Sequence, residues 1–428
     1  MAGRPRRGRY VAGAIAGLLV LPAPLFAAPG TLVLRHPWRN AQAPLQALAV
    51  RYRRESGIAV RVVCRPEAPS PAQPAPAGHD LIGLPSRDAN LAAIALLARA
   101  GRAQELSAWM DGRWRARFHS LALRPFLISR ANRWGAPPGI YGVPLTLYVR
   151  LLLYRPDLLA QAGIHTDASA WDWNDLLAAG QRLRAAGIEP LVGALHPREH
   201  PALACMYEPS YLGTSGLCRT YARDLRYLDP QWRAVTQLYV ELREAGICRA
   251  PLAFAPQADA QRAFLEGRAA ILVDGPWFVG VQQQRAPNFT EWKVTLPPWG
   301  RGAARFMPAA PGGVGHSVII NPRSTRRQQA ARFLRWLTET EAQVTFANAV
   351  WMLPAATAAT THPRLHAGLR RFAAHLGDAS PDLAVLEDPA VNRVHYEGIA
   401  AILQGRDTPE AVLTRVDRLK ARRHAVAR

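Results

Sequence analysis

The spacing of apolar residues along the chain alternates between two periods. Residues 31–35 have the two-residue alternation of a strand, and the apolar side chains in 43–56 recur at three- and four-residue intervals, as in an amphipathic helix. Gly57 is expected to end that helix, and 58–64, rich in Val and Ile, is typical of a second strand. A strand, a helix and a strand in this order form the basic unit of a parallel sheet.

The same alternation recurs further along the chain. Strands are predicted at 79–84, 269–273 and 314–321, and helices at 89–100, 170–187, 230–246, 258–267 and 325–338. In the last helix, the side chains that should face inward are Ala331, Phe333, Leu334 and Leu337. A length of 428 residues allows two lobes of ordinary domain size. The pattern therefore predicts an α/β protein and permits two lobes without requiring them.

The first 28 residues have the layout of a signal peptide. Arginines in the first nine positions precede an uncharged, largely apolar stretch over 10–26, which is followed by the small residues Ala27 and Ala28. No second long apolar span follows, so we expect no membrane anchor. Because no cysteine stands near the cleavage region, we also expect an exported protein without a lipid at its mature N-terminus.

The chain is strongly basic, with a formal net charge of +22 and a pI near 11.0. Of its 53 basic residues only Lys293 and Lys420 are lysine, and the arginines are scattered along the whole chain. Short clusters such as 51–54 and 326–327 are typical of solvated helix faces. Nucleic-acid binding is not favoured, because it needs a clustered basic surface. The charge still favours adhesion to anionic surfaces and an acidic ligand.

The four cysteines are Cys64, Cys205, Cys218 and Cys248. An oxidising compartment permits disulfides among them, with three pairings open. We expect Cys205 to pair with Cys218, because the segment between them is short and rich in Gly, Ser and Thr. The alternative is four buried thiols.

Sequence motifs of catalysis are missing. The chain has no G-x-S-x-G, H-E-x-x-H, C-x-x-C, Walker A or G-x-G-x-x-G string. His196 and His200 form the closest histidine grouping, and a surface loop explains them better than a metal site. We therefore predict no enzymatic activity, no metal and no cofactor, although catalytic groups can also meet only in space.

Several segments follow one another in the order found in a known family. They are 141–144, 148–158, 171–176, 264–277, 311–313, 353–355 and 396–411. Together they resemble the extracellular solute-binding proteins of ABC importers, in particular the sugar-binding group that includes the maltose- and glycerol-phosphate-binding proteins. The string Asp-Gly-Pro-Trp at 274–277 is the most specific match. The chain departs from the family at Pro-Pro-Gly-Ile over 137–140 and in a longer Pro-rich loop over 66–76.

The resemblance implies a type II periplasmic-binding-protein fold, with two α/β lobes, a ligand cleft between them and hinge crossings. The implied first lobe comprises 29–146 and 300–352, and the second comprises 147–299 and 353–428. It further implies a periplasmic or other extracytoplasmic monomer that binds a sugar or polyol and delivers it to the membrane permease of an ABC importer. Two alternatives stay open: a secreted hydrolase acting on carbohydrate, and a receptor for an anionic, phosphorylated polyol.

A sugar site needs aromatic plates and hydrogen-bonding groups, and the resemblance supplies candidates for both. The strongest candidates implied are Trp38, Tyr148, Trp277, Gly312 and Gly313. The two glycines would let backbone amides approach the ligand closely.

The remaining candidates carry polar or aromatic groups that more often have structural roles. They are Asp80, His316, Trp351 and Tyr396. Arg87 and Arg150 could pair with a phosphate or carboxylate on the ligand. Glu266 and Asp274 are the acids near the best motif, and a hydrolase would need two such acids facing each other.

Overall fold

The computed structural model describes residues 30–65, 78–86, 89–193, 202–222, 224–248, 252–302 and 306–425. The predicted signal peptide over 1–28, the Pro-rich loop, Arg87 and the His196 and His200 pair lie outside these ranges. No helix of the described residues is both long enough and apolar enough to cross a membrane.

The strands are Leu32–His36 (β1), Val60–Cys64 (β2), Leu81–Leu84 (β3), Leu127–Ile128 (β4), Gly139–Ile140 (β5), Val143–Pro144 (β6), Thr146–Val149 (β7), Leu151–Tyr154 (β8), Glu189–Val192 (β9), Ala269–Asp274 (β10), Lys293–Thr295 (β11), Ala310–Val314 (β12), Ser317–Ile320 (β13), Leu353–Pro354 (β14) and Ala379–Pro381 (β15).

The helices are Gln42–Ser56 (α1), Leu91–Arg99 (α2), Gly112–Arg115 (α3), Ser120–Leu123 (α4), Pro156–Gln161 (α5), Trp173–Ala185 (α6), Ala202–Ala222 (α7), Pro230–Glu244 (α8), Gln257–Leu265 (α9), Phe278–Arg285 (α10), Arg327–Leu337 (α11), Thr340–Val350 (α12), Thr357–Thr360 (α13), Ala367–Ala373 (α14), Pro389–Leu403 (α15) and Pro409–Ala425 (α16).

Local sequence signals place these elements where the pattern predicted them. Gly57 ends α1 with a φ of 75° and donates its backbone N–H to Arg53, a left-handed conformation that glycine adopts without steric cost. Asp172 and Asp175 form a reciprocal capping box at the start of α6. The four side chains predicted to face inward on α11 are all buried.

The first sheet contains the predicted strand, helix and strand unit. Its order is β2-β1-β3-β13-β6, and β1 pairs with β2 in parallel, with Leu32 opposite Val60. Helix α1 buries Leu45, Leu48 and Tyr52 in the same core as β1. The expected α/β architecture is therefore confirmed for this part of the chain.

The chain passes twice between the first sheet and a second one. The second sheet has the order β11-β8-β10-β9, and a smaller sheet has the order β14-β7-β12-β15. Successive strands β6, β7 and β8 belong to the first, the smaller and the second sheet, and β11, β12 and β13 return in the reverse order. We call β14-β7-β12-β15 the crossing sheet, because both passages run through it.

The predicted disulfide between Cys205 and Cys218 is wrong. All four cysteines are thiols in the structure, with Cys64 and Cys218 only half-buried. The segment between Cys205 and Cys218 is helical, because α7 runs through both residues with one kink at Gly213 (φ 63°, ψ 171°). A composition rich in Gly, Ser and Thr suggested a loop. The segment is helical because Leu212 and Leu217 are buried in the hydrophobic core that α7 shares with α8.

Asp80, a ligand candidate from the sequence, holds the first sheet together. Its carboxylate accepts hydrogen bonds from the backbone N–H of Val33 (2.9 Å), from the hydroxyl of Ser324 and from the guanidinium of Arg326 (3.3 Å). The side chain is 3% exposed. Asp80 therefore joins β1 and β3 to the segment after β13, and its oxygens are already occupied by protein donors.

Asp80→Ala should lower the free energy of unfolding by about 3 kcal/mol, because it leaves buried donors without an acceptor. Urea denaturation of the purified protein measures the change. Asp259→Ala, which removes a half-exposed partner of Arg262, is the control and should change stability little. A decrease for Asp80→Ala no larger than that of the control would contradict the assigned role.

The second lobe buries an acid beside a histidine. Glu208 of α7 is 2% exposed, and its Oε1 lies 3.9 Å from Nδ1 of His395 on α15 and has no hydrogen-bond partner in the described part of the chain. Burial and the nearby Asp382 carboxylate raise the pKa of Glu208 to about 8, and burial lowers the pKa of His395 to about 3. Both groups are therefore mainly uncharged at pH 7.

Glu208 should make the protein less stable as the pH rises. The unfolded chain releases this proton near the ordinary value of 4.5, whereas the folded chain keeps it until about 8, so stability falls with rising pH in that window. His395 has the opposite effect, because its pKa is lower in the folded chain than in the unfolded one. It makes stability rise with pH, and only below its ordinary pKa of 6.5.

In the wild-type protein, the free energy of unfolding should therefore decrease between pH 6.5 and 8, with a slope of up to about 1.4 kcal/mol per pH unit. In Glu208→Gln this decrease should be absent. Urea denaturation at both pH values measures it. The matched control is Glu397→Gln, an exposed acid on α15. Equal pH dependence in wild type and Glu208→Gln would show that Glu208 is ionised in the folded state.

Candidate ligand-binding site

The crossing sheet brings a tyrosine against two glycines. Strands β7 and β12 are antiparallel, with Tyr148 opposite Gly313 and Val149 opposite Gly312. A Cβ atom on Gly313 would lie 3.1 Å from the Tyr148 hydroxyl, and one on Gly312 would lie 2.7 Å from the Tyr148 carbonyl oxygen. Any side chain at these positions would displace Tyr148 or the strand, so the glycines are needed for this close packing.

Trp277 lies next to Tyr148. The ring centroids are 6.1 Å apart with an interplanar angle of 55°, and Trp277 is half-buried. A Cβ atom on Gly275 would come within 2.4 Å of the indole ring. The string Asp-Gly-Pro-Trp thus packs the ring against its own backbone at the end of β10, close to the crossing sheet.

Asp274 fixes the turn that carries Trp277. Its buried carboxylate accepts hydrogen bonds from the side-chain amides of Gln257 and Gln261 (both 2.7 Å) and from the backbone N–H of Gly275 (2.8 Å). Burial raises the pKa of Asp274 to about 6, against the hydrogen bonds and the Arg150 charge, which lower it. This acid therefore anchors the turn through amide partners.

Arg150 covers part of the indole. Its guanidinium carbon lies 5.3 Å from the centroid of the Trp277 ring, within range of a cation–π interaction. Its backbone N–H donates to the carbonyl of Pro311 on β12 (2.9 Å). The buried Nε of Arg150 and the buried Nε1 of Trp277 both have no hydrogen-bond acceptor among the residues that the structure describes.

Tyr396 adjoins this group from the second lobe. Its hydroxyl lies 3.9 Å from the sulfur of Cys205, and the Asp382 carboxylate, in the loop after β15, is close enough to contribute to a raised pKa at both Tyr148 and Tyr396, where burial is the larger cause. Cys205 acts in the same direction on both hydroxyls. The structure therefore places Tyr396 in the same neighbourhood as Tyr148.

Trp38 and His316 form a separate cluster in the first lobe. The indole N–H of Trp38 donates to the carbonyl of Leu84 (3.1 Å), and the ring stacks on His36 (5.2 Å) and meets His316 edge to face (4.8 Å). Trp38 is 8% exposed, so it is mainly a packed aromatic.

His316 is tied to the start of the crossing sheet. Its Nδ1 lies 2.8 Å from the hydroxyl of Thr146 on β7. Burial lowers the pKa of His316 to about 3 and that of His36 to about 4, so both are neutral at pH 7. The cluster thus supports β7 from the side of the first lobe.

Trp351 reaches the helix that follows Trp277. It ends α12 with a φ of 55°, the left-handed region, and its ring lies within 2.4 Å of where a Cβ on Gly280 of α10 would stand. It also meets His366 edge to face at 5.2 Å.

Asp80 lies at the other end of β3 from Leu84, away from the contact with Trp38.

The acids near the indole do not face each other. Glu266 is half-exposed and paired with Arg268 (2.7 Å), whereas Asp274 is buried beneath the turn. In the described part of the chain, no three His, Cys, Asp or Glu side chains are placed to hold a metal.

Sequence reasoning singled out Asp274 within a recognised string, and its place in the turn agrees with the hydrogen bonds it accepts. Sequence reasoning did not place Cys205 or Asp382 near the candidate site. Cys205 and Asp382 lie on segments that carry no motif, and only the packing of α7 and β15 against the crossing sheet brings them near Tyr148.

Comparisons with known proteins agree with this architecture. A family model for bacterial extracellular solute-binding proteins matches residues 73–344. A protein of Brucella abortus (strain 2308), described only as a binding protein, is 24% identical over 326 residues, which is 73% of each chain.

Solved structures are similar in fold. The GacH receptor of Streptomyces glaucescens superposes with a TM-score of 0.70 at 17% identity, covering 92% of this chain and 98% of its own. A chitin oligosaccharide binding protein gives a TM-score of 0.68 at 18% identity, covering 93% and 100%. The two-lobed α/β periplasmic-binding-protein fold expected from the sequence is confirmed. The chain belongs to the bacterial extracellular solute-binding protein family.

Proposed function

We propose that this protein binds a sugar or related polyol between its two lobes and delivers it to the membrane permease of an ABC importer. The observation that carries the proposal is the placement of Tyr148 and Trp277 side by side at the crossing sheet, next to Gly312 and Gly313. Both lobes are connected through that sheet, so a ligand held there can be contacted from either side.

The chemistry of the site suits a sugar. The apolar C–H faces of a pyranose pack against aromatic rings, and its hydroxyls need donors and acceptors at the edge of those rings. Trp277 and Tyr148 are both half-buried residues. The polar groups beside the rings are the Tyr148 hydroxyl and the Nε of Arg150 and Nε1 of Trp277, which have no acceptor among the described residues.

Related proteins support the ligand class. The GacH receptor was solved in complex with acarbose, and another solved structure of this fold is a chitin oligosaccharide binding protein. Sequence identities of 17% and 18% carry the fold, and the ligand is inferred here from the aromatic pair.

Closure of the lobes would couple binding to transport. Two passages through one small sheet form a natural hinge. A ligand that binds the closed state more tightly shifts the population toward it, and a shift from 1:99 to 99:1 takes about 5.5 kcal/mol. The proposal includes the lobe boundaries given by the sequence, an extracytoplasmic location after removal of 1–28, no lipid and a monomeric state.

A secreted hydrolase is supported less well. Glycoside hydrolysis uses two carboxylates on either side of the bond, and the two acids closest to the indole in sequence have separate partners, Arg268 for Glu266 and side-chain amides for Asp274.

A panel of sugars should reveal a ligand by raising the melting temperature of residues 29–428 in a concentration-dependent way. The panel is maltose, maltotriose, galactose, triacetylchitotriose, xylotriose and the phosphates of glucose and glycerol. For the tightest binder, Trp277→Ala should weaken the affinity at least tenfold by calorimetry, because it removes the aromatic plate.

Trp299→Ala is the control, since Trp299 is 43% exposed and lies in the loop between β11 and β12. The control should bind like wild type. If Trp277→Ala bound the confirmed ligand as tightly as wild type, the site assignment would be wrong, and if no member of the panel bound, the proposed ligand class would fail.

A further inference from the structure

Large exposed apolar side chains are concentrated in one loop. In the described part of the chain, those between 40% and 60% exposed are Val50, Leu96, Leu127, Trp299, Phe306 and Met307. The first three lie on three different elements, and single apolar residues on a surface are common. The other three lie within the stretch 299–307, in the loop between β11 and β12. A group of this kind is typical of an interaction site.

The loop is fixed to α7 on both of its sides. The backbone N–H of Phe306 donates to the carbonyl of Ser210 (3.0 Å), and the hydroxyl of Tyr211 donates to the carbonyl of Arg301. The Phe306 ring lies against Gly213, where a Cβ atom would come within 2.8 Å of the ring. The kink of α7 at Gly213 therefore receives the loop, and the exposure of its side chains is a property of an anchored segment.

These anchors bring the three exposed side chains to one region of the surface. Trp299 precedes Gly300, where a Cβ atom would lie 3.0 Å from the ring of Tyr211, and Met307 follows Phe306 directly. We call Trp299, Phe306 and Met307 the apolar patch. Their side chains are 43%, 51% and 60% exposed. With about 200 Å² for a complete side chain, the patch offers roughly 300 Å².

The size of the apolar patch fits a contact that forms and dissociates. A stable dimer buries about 800 Å² on each partner, which is more than twice the area of the patch. Small interfaces are typical of transient encounters. A second copy of this chain held permanently on the patch is therefore not favoured.

The chemistry of the loop favours a protein surface over a sugar or a membrane. Its described residues, 296–302 and 306–309, carry one charged side chain, that of Arg301, and are otherwise apolar, glycine or proline. A sugar needs hydrogen-bonding groups placed around it. Entry into a membrane needs apolar side chains that stand clear of the fold, whereas these three remain about half covered.

We propose that the apolar patch is the surface with which this protein contacts the extracytoplasmic face of its ABC permease, and that the permease presents an apolar surface to it. This rests on the proposed function, under which the permease is the protein that the chain must bind and leave at each delivery. The loop runs into β12, on one of the two passages between the lobes. The patch is therefore beside the hinge, and closure would change its position relative to the first lobe.

The test separates sugar binding from delivery. Trp299→Ser combined with Met307→Ser removes two members of the patch and keeps Phe306, which packs on Gly213. Purified protein should bind the tightest sugar of the panel with unchanged affinity by calorimetry. Uptake of that sugar, radiolabelled, should fall at least tenfold in cells of the source organism that carry the variant in place of the native copy, because docking loses apolar contact.

The matched control combines Val50→Ser with Leu96→Ser, which removes two equally exposed apolar side chains from α1 and α2. It should support uptake like wild type. Immunoblots establish that all proteins reach equal levels in the cells, the deletion strain gives the background uptake, and circular dichroism melts establish that each variant is folded.

Four results would overturn the proposal. The patch variant may support uptake like wild type, or it may lose sugar affinity, which would assign the patch to the ligand. Wild type, unlike the variant, may sediment with vesicles of phosphatidylethanolamine and phosphatidylglycerol, which would assign the patch to the membrane. Wild type, unlike the variant, may dimerise in sedimentation velocity, which would assign it to a second copy. If wild type binds no sugar or restores no uptake, the proposed function itself fails, which is a different result.

Discussion

The pairing of β7 with β12 is the contact on which the rest of the structure depends. These strands come from the two passages of the chain between the first and second sheets, and Tyr148 faces Gly313 across them. The same pairing that joins the lobes therefore sets the floor of the candidate site. Glycine on β12 permits the approach, because a Cβ on Gly312 would collide with the Tyr148 carbonyl oxygen and one on Gly313 would crowd the Tyr148 hydroxyl. The connection between the lobes and the candidate site therefore both depend on one small sheet.

Burial, more than net charge, governs the chemistry around that sheet. The protein carries a formal charge of +22, yet both Asp382 and Arg150 act on the Tyr148 hydroxyl, and Arg150 also acts on the buried Asp274. Low solvent access keeps Glu208, His395 and His316 uncharged near neutral pH. A neutral ligand is compatible with this local balance, whereas the overall charge alone suggested an acidic one. The charges packed near Tyr148 affect a ligand there more than distant surface arginines do, because salt largely screens exposed charges beyond about 10 Å.

The candidate residues from the sequence divide by what surrounds them. Tyr148, Trp277, Gly312 and Gly313 meet at the crossing sheet, and Tyr396 shares neighbours with Tyr148. Trp38 and His316 pack together in the first lobe. The Asp80 carboxylate accepts hydrogen bonds from Val33, Ser324 and Arg326. All were named from their positions along the chain, which do not tell whether a side chain points into a core or toward an open surface.

The sequence by itself determined the alternation of strands and helices, the helix end at Gly57, and the family, because these depend on local periodicity, capping and short strings. It did not determine the state of Cys205 and Cys218, since a glycine-rich stretch was held helical by burial of its neighbours. Nor could it show that Nε of Arg150 and Nε1 of Trp277 have no acceptor in the part of the chain that the structure describes, or that Asp382 lies near Tyr148. Those features were decided by tertiary structure, because hydrogen-bond satisfaction and local charge depend on segments far apart in sequence that meet only when the sheets assemble.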